Sequence, residues 1–412
     1  MLLKRLFAVL CAAVVLCGGL TVNASGGGTV LYDVDSGENL SALLSEDDAA
    51  WPTVAVPDSA AGLTVNAKGA VLMEQGSGTV LYEKNAKEHL PIASVTKVMT
   101  LLLVMEAIDS GRLKWEDTVT CSAKAASMGG SQIWLEQGEV MTVDELVKAA
   151  AVVSANDACA ALAEHISGTI EAFVSAMNAR AKALGLTDTN FVDCSGLDDS
   201  GYSCAYDIAM MSRELMKHKD IQKYTTIWMD SLRGGKSQLV NTNKLVRHYK
   251  GATGLKTGTT QAAGHCLSAA AERDGTAFVA VVLGCATTAD RFDGARAMLD
   301  YGFSNYVSYT PPAELMQLAP IPVLGGQADT VEITVDMPQS LLLKKGTENS
   351  VEPSAELATD LEAPVHAGQV VGTWRLKSGD ETLCEYAVRA SADVPAKTFR
   401  FAYSLLVAAL LA

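Results

Sequence analysis

Three short runs in this chain combine a nucleophile, a base and a cation in a way that suits acyl transfer. The first is Ser94-Val95-Thr96-Lys97. Positions i and i+3 share a helix face, so on a helix the Lys97 amine lies beside the Ser94 hydroxyl. A serine hydroxyl is a weak nucleophile until a neighbouring base takes its proton. An amine buried among apolar side chains holds its proton less tightly, which makes such a lysine a usable base. The second run is Ser154-Ala155-Asn156. Its hydroxyl suits a proton relay between lysine and leaving group, and its amide suits a substrate backbone. The third is Lys256-Thr257-Gly258, followed by Thr259-Thr260. A cation and a hydroxyl there flank a glycine that lets a substrate backbone come close, so an extended peptide can add as a strand with its terminal carboxylate near Lys256. Alone, each run has an ordinary structural explanation. Ser94 can cap a helix while Lys97 reaches water, and Asn156 or Asp157 can cap the helix after a break. Their conjunction, in this order, is what points to chemistry.

The elements that must hold these runs are readable from periodicity. Ala70–Met73 and Thr79–Tyr82 flank Gln75-Gly76-Ser77-Gly78 and predict a β-hairpin. From Ser94 to Ile108 the pattern is helical and apolar nearly all round, which places that helix in the middle of a domain. Further helices are expected over Val143–Val153, Asp157–Ile166, Ile170–Leu184 and Tyr206–Lys217. Strands return at His265–Ala271 and Ala277–Gly284, and a helix from Phe292 to Tyr301 follows. Strands, a helical block, then strands again predict a sheet closed by its first and last segments, with helices packed on it. From Thr310 to about Ala392, short alternating stretches such as Val331–Val335 predict a small all-β module.

Bulk properties narrow the class. A length of 412 residues suits two domains with tails, and the net charge of −15 excludes the basic footprint of a nucleic-acid binder. Lys4 and Arg5 precede an apolar run from Leu6 to Leu16, with small residues near Ala24, which reads as a signal peptide over residues 1–24. Residues 25–63 carry seven acidic residues and neither Lys nor Arg, and read as a solvated tether. Residues 64–309 then form the catalytic domain, 310–392 the β-rich domain and 393–412 an apolar tail. The twelve residues Phe401–Ala412, almost wholly apolar, are too few to span a bilayer, so the tail is expected to anchor at a membrane surface. Seven cysteines lie beyond the signal segment, without a C-x-x-C, and no H-E-x-x-H occurs, so neither a metal nor another cofactor is called for. Free buried cysteines are the expected state, with Cys194 and Cys204 the pair that could bridge.

Together the three runs resemble the S-x-x-K, S-x-N and K-T-G signature of penicillin-binding proteins and serine β-lactamases. The flanking text resembles the low-molecular-mass D-alanyl-D-alanine carboxypeptidases more closely, through Pro91–Thr100, Asn241–Leu245, Gly254–Thr260, Arg291-Phe292-Asp293 and, in the β-module, Ala363–Gly372. The resemblance implies an α/β transpeptidase-like domain, an antiparallel sheet with a helical cluster, followed by a small all-β domain. It implies that Ser94 attacks the carbonyl between two terminal D-alanines of a peptidoglycan stem peptide, with Lys97 as base and Ser154 and Asn156 in the roles above. The N–H groups of Ser94 and Thr259 would form the oxyanion hole. Lys256, Thr257 and Arg291 would bind the terminal carboxylate, beside Gly258, and β-lactam antibiotics would acylate the same serine. The enzyme would work at the extracytoplasmic face of the membrane. His265 stands where many relatives have tyrosine, and Cys204 where threonine is more usual. Two other readings are a β-lactamase and a non-catalytic peptidoglycan-binding protein. Ala155 in place of the common lactamase Asp, and the appended β-module, argue against the first. The intact Ser94/Lys97 pair argues against the second.

Overall fold

A five-stranded antiparallel sheet is buried on both faces. The computed structural model describes residues 62–311, 318–335, 340–348, 350–379 and 381–411. The signal segment, nearly all of the acidic tether and Pro312 lie outside the described residues. The strands are β1 (Gly69–Glu74), β2 (Val80–Lys84), β3 (Ala252–Thr260), β4 (Gly264–Arg273) and β5 (Thr276–Cys285), in the spatial order β2-β1-β5-β4-β3. The first and last segments meet, as expected: β1 pairs antiparallel with β5, Val71 opposite Val281. Strand β5 explains itself. Phe278 to Leu283 are all fully buried, because side chains alternate between faces and both faces are covered. Val279, Val281 and Leu283 pack with Val71 and Met73 against the helical lobe. Phe278, Ala280 and Val282 pack against Phe292, Met298, Leu299 and Phe303 on the other side. Each of these Val, Leu, Met and Phe side chains taken out of water contributes about 1.5–3 kcal/mol.

The helical lobe centres on α1 (Lys97–Asp109), whose Val98, Met99, Leu101, Leu102, Val104 and Met105 have no exposed surface. A short 3-10 turn, Ala93–Thr96, leads into it, so Ser94 sits on the turn and Lys97 opens the helix. Around it lie α2 (Val143–Val152), α3 (Asn156–Ser167), α4 (Ile170–Ala183) and α5 (Ala205–Lys217). The start of α2 is fixed by a capping box. Thr142 Oγ1 accepts from Glu145 N, and the Glu145 carboxylate accepts from Thr142 N. The sheet's outer face is covered by α6 (Thr288–Asn305), which starts earlier than the apolar pattern indicated because Thr287 and Asp290 form a second capping box ahead of it, and which runs on past Tyr301 to Asn305.

The β-module holds a four-stranded sheet in the order Ile333–Val335, Glu381–Ala390, Val370–Ser378, Val351–Leu357, over a core that contains Trp374 and Leu376. Its pairing continues past Ala392: Val394 bridges Val365 and Ala396 bridges Gly326. Beyond it Phe399–Leu411 is helical. Among the described residues no helix is long and apolar enough to cross a membrane. Among the described residues the seven cysteines beyond the signal segment are free, Cys194 and Cys204 included.

Candidate active site

Ser94, Lys97, Ser154, Asn156, Lys256, Thr257, Gly258, Thr259 and Arg291 converge between the edge of the sheet and the helical lobe. Lys97 is fully buried, so it does not reach water as a surface lysine would. Its Nζ lies 2.9 Å from Ser94 Oγ, 2.6 Å from Asn156 Oδ1 and 2.7 Å from the Ser195 carbonyl oxygen. The count matters. A neutral amine has two hydrogens and one lone pair. Asn156 and Ser195 accept the two hydrogens, and the lone pair is left for the Ser94 proton. Burial lowers the Lys97 pKa, which favours that neutral form, while Cys159, Cys194 and two aspartates act in the opposite sense.

Ser195 was invisible in the sequence because it acts through its backbone. Its carbonyl is aimed by Asp193, which accepts from Ser195 N (2.6 Å), Gly196 N and Asp198 N (2.7 Å). Gly196 must be glycine. Its φ is +74° and a Cβ there would stand 1.8 Å from the Ala93 carbonyl oxygen, on the turn that carries Ser94.

Ser154 lies in the three-residue break between α2 and α3 at φ +65°, a region costly for a residue with a side chain and one that clusters at functional sites. Its buried hydroxyl has no hydrogen-bond partner among the described residues. Neither Asn156 nor Asp157 caps α3; Ala155 holds the N-cap position without a side-chain bond. Asn156 instead receives Lys97 and donates from Nδ2 to the Gly129 carbonyl at 2.7 Å, which leaves one amide hydrogen for a substrate. Asp157 serves the wall of the cleft. It is fully buried and accepts from Ile133 N and Leu135 N, which holds the loop that includes Gly129 and Ser131.

The opposite wall is β3, at the sheet edge, with no strand on its outer side among the described residues. Its Lys256 is fully buried, and Nζ has no hydrogen-bond partner among the described residues. Burial first, and then the nearby cations Lys97 and Arg291, push its pKa down to about 7. Gly258 lies against the nucleophile's turn: a Cβ would stand 2.6 Å from the Ile92 oxygen and 3.1 Å from Ser94 N. Arg291, from the first turn of α6, donates through Nη1 to Gly258 O (3.2 Å) and Thr259 Oγ1 (3.0 Å), and its buried Nε is unpartnered among the described residues. His265 faces the same strand, with Nδ1 3.4 Å from Thr259 Oγ1 and 3.3 Å from Thr288 Oγ1. Away from the cleft, the acidic cluster of Asp188, Cys204 and Asp207 holds a lysine: Lys87 Nζ lies 3.5 and 3.4 Å from the two carboxylates.

A Ser/Lys pair with its amine buried, the unpartnered Ser154 hydroxyl and two further cations, Lys256 and Arg291, can perform acyl transfer on a substrate that ends in an anion. Known proteins agree with that chemistry. Residues 54–287 match the D-alanyl-D-alanine carboxypeptidase family model, and 316–396 match the penicillin-binding protein 5 C-terminal domain. The chain is 44% identical over 337 residues to D-alanyl-D-alanine carboxypeptidase DacF of Bacillus subtilis, covering 81% of this chain and 87% of that one. It is 34% identical to DacC of Escherichia coli over 334 residues, 79% and 82% of the two chains. Among solved structures, penicillin-binding protein 5 from Haemophilus influenzae superposes with a TM-score of 0.74 at 29% identity, covering 83% and 99%. Penicillin-binding protein D2 from Listeria monocytogenes, in its ampicillin-bound form, superposes at 0.54 with 32% identity, over 58% and 99%.

Proposed function

The chain belongs to the D-alanyl-D-alanine carboxypeptidase family, and on that premise we propose how its residues divide the work of a serine-type hydrolase. The enzyme cleaves the bond between two terminal D-alanines. Ser94 Oγ attacks that carbonyl as Lys97 takes its proton. The N–H groups of Ser94 and Thr259 hold the developing oxyanion, an arrangement that suits the close approach of Gly258 to Ser94. Ser154 passes the proton to the leaving D-alanine. Lys256, Thr257 and Arg291 receive the terminal carboxylate, and the remaining Asn156 hydrogen holds the substrate backbone. Water then releases the acyl group from Ser94. The observation that carries this reading is the Lys97 amine with two fixed acceptors and its third position on Ser94 Oγ.

The substrate is the stem peptide of peptidoglycan, and the same serine takes up β-lactams. The domain order proposed is a signal segment over 1–24, a tether over 25–63, a catalytic domain over 64–309, a β-rich domain over 310–392 and an anchoring tail over 393–412. Exposure supports the tail's role. Phe399, Tyr403, Leu406 and Leu410 are 88%, 59%, 58% and 77% exposed and recur at helical spacing, an apolar stripe suited to a membrane surface at the extracytoplasmic face.

A fluorescent penicillin, followed alongside D-alanine release from a D-Ala-D-Ala peptide, tests the assignment. Stable label on the wild type, none on Ser94→Ala and D-alanine release only with Ser94 present are expected. Label that survives Ser94→Ala would overturn the nucleophile. Rapid loss of label with penicillin hydrolysis would mark a β-lactamase.

A further inference from the structure

The third motif's hydroxyl is not free-standing. Thr257 Oγ1 donates to Thr242 Oγ1 at 2.7 Å. Thr242 is in turn tied to the second motif's helix, since its backbone N–H donates to the Val152 carbonyl at the end of α2, two residues before Ser154. Its neighbours leave it little freedom. Asn241, 3% exposed, donates through Nδ2 to Ile227 O at 2.7 Å and accepts from Asn243 N at 2.8 Å. Asn243, fully buried, donates to Gly254 O on β3 at 2.8 Å. Two buried amides therefore clamp Thr242 between the helical lobe and the sheet edge, with its side chain half-buried against Thr257.

We infer that Thr242 is a positioning residue for carboxylate recognition, a hydroxyl that holds Thr257 when the site is free and becomes its donor when substrate binds. The chemistry follows from what a hydroxyl carries, one hydrogen and two lone pairs. In the free enzyme the Thr257 hydrogen points at Thr242, so it is turned away from any ligand. A substrate carboxylate is acceptor-only and needs that hydrogen. When Thr257 turns its hydrogen to the carboxylate, Thr242 loses its incoming bond. Its own hydroxyl hydrogen then swings to Thr257 Oγ1. The pair keeps one internal hydrogen bond in both states with its direction reversed, and the donated bond strengthens Thr257 as a donor to the anion. Because Thr242 also hangs from the end of α2, the anion site and the turn that carries Ser154 share one anchor.

This inference rests on the reading that Thr257 meets the substrate carboxylate, and the experiment separates the two. Acyl-enzyme formation is measured by intact-protein mass for a penicillin and for its carboxylate methyl ester, with Thr242→Val, Thr242→Ser and Thr257→Val in the full chain. Thr242→Val is expected to slow acylation by the free acid about five- to tenfold, the effect of one ordinary hydrogen bond, and acylation by the ester by less than about twofold. Thr242→Ser restores the rate. An equal loss with acid and ester, or no loss with either, overturns the inference, because a merely structural defect does not read the carboxylate. If Thr257→Val itself fails to distinguish acid from ester, the carboxylate reading of Thr257 falls first. If Thr257→Val distinguishes them and Thr242→Val does not, only the role of Thr242 falls. Should Thr242→Val not fold, Thr242→Ala is read by the same criteria.

Discussion

Lys97 Nζ lies 2.6 Å from the side-chain oxygen of Asn156, a bond between two motifs 59 positions apart in the chain. It fixes one of the two amine hydrogens and so decides where the lysine lone pair points. It also makes the base sensitive to whatever stands at position 156.

Asn156→Asp places a carboxylate on that amine. An opposite charge at contact favours the protonated amine and so raises the Lys97 pKa. Lys97 then holds its own proton more tightly and is a poorer acceptor for the Ser94 proton. Acylation by a penicillin at pH 7 should fall about tenfold or more, and recover as pH rises. A pH profile of the acylation rate checks this; an unmoved acid limb counts against Lys97 as base.

Lys256 carries its charge below about pH 7 in the free enzyme and loses it above. For an anionic substrate, kcat/KM should decline on the alkaline side of about pH 7, while kcat declines at higher pH, because the bound carboxylate keeps Lys256 protonated. Two interacting lysines titrate as a pair, so the apparent values belong to both. Lys256→Arg should remove this alkaline limb, since a guanidinium stays charged.

The same burial has a cost in stability. The folded pKa of Lys256 is depressed, so between about 7 and the ordinary lysine value the unfolded chain binds more protons and stability rises with pH. Lys256→Met should therefore abolish peptide turnover yet stabilise the fold by about 1–3 kcal/mol at pH 6, with the gain shrinking toward pH 9. Urea unfolding at the two pH values measures it. A loss of stability at pH 6 would mean that the ammonium is better solvated than its burial indicates.

Gly258→Ala inserts a Cβ 2.6 Å from the Ile92 oxygen and 3.1 Å from Ser94 N. Relieving it must separate β3 from the nucleophile's turn, at about 1–3 kcal/mol of stability. Acylation should drop at least about a hundredfold, the effect of losing one oxyanion donor. Wild-type acylation kinetics in this variant would remove Thr259 from the oxyanion site.

Deleting residues 399–412 should release the enzyme from vesicles that contain anionic lipid without altering penicillin acylation. Sedimentation with vesicles distinguishes this from a tail without affinity for lipid, in which case the full chain stays in the supernatant as well.

What the sequence determined by itself is what short-range periodicity can encode. The i, i+3 spacing of Ser94 and Lys97 is a statement about one helix face, and the unbroken apolar run of β5 states that both faces of its strand are covered. The architecture of sheet and helical lobe followed from such runs, as did the residue types able to carry the chemistry. Tertiary structure decided the rest. Ser195 and Gly129 enter the site through carbonyl oxygens, which every residue has, so no side chain marks them. Thr242 and Thr257 lie 15 positions apart and meet only because two buried asparagines fold the intervening chain back. The shift of Lys256 depends on its depth and on cations from α1 and α6. Depth and cross-chain proximity arise when distant elements pack, because desolvation and hydrogen-bond direction are set by every neighbour at once.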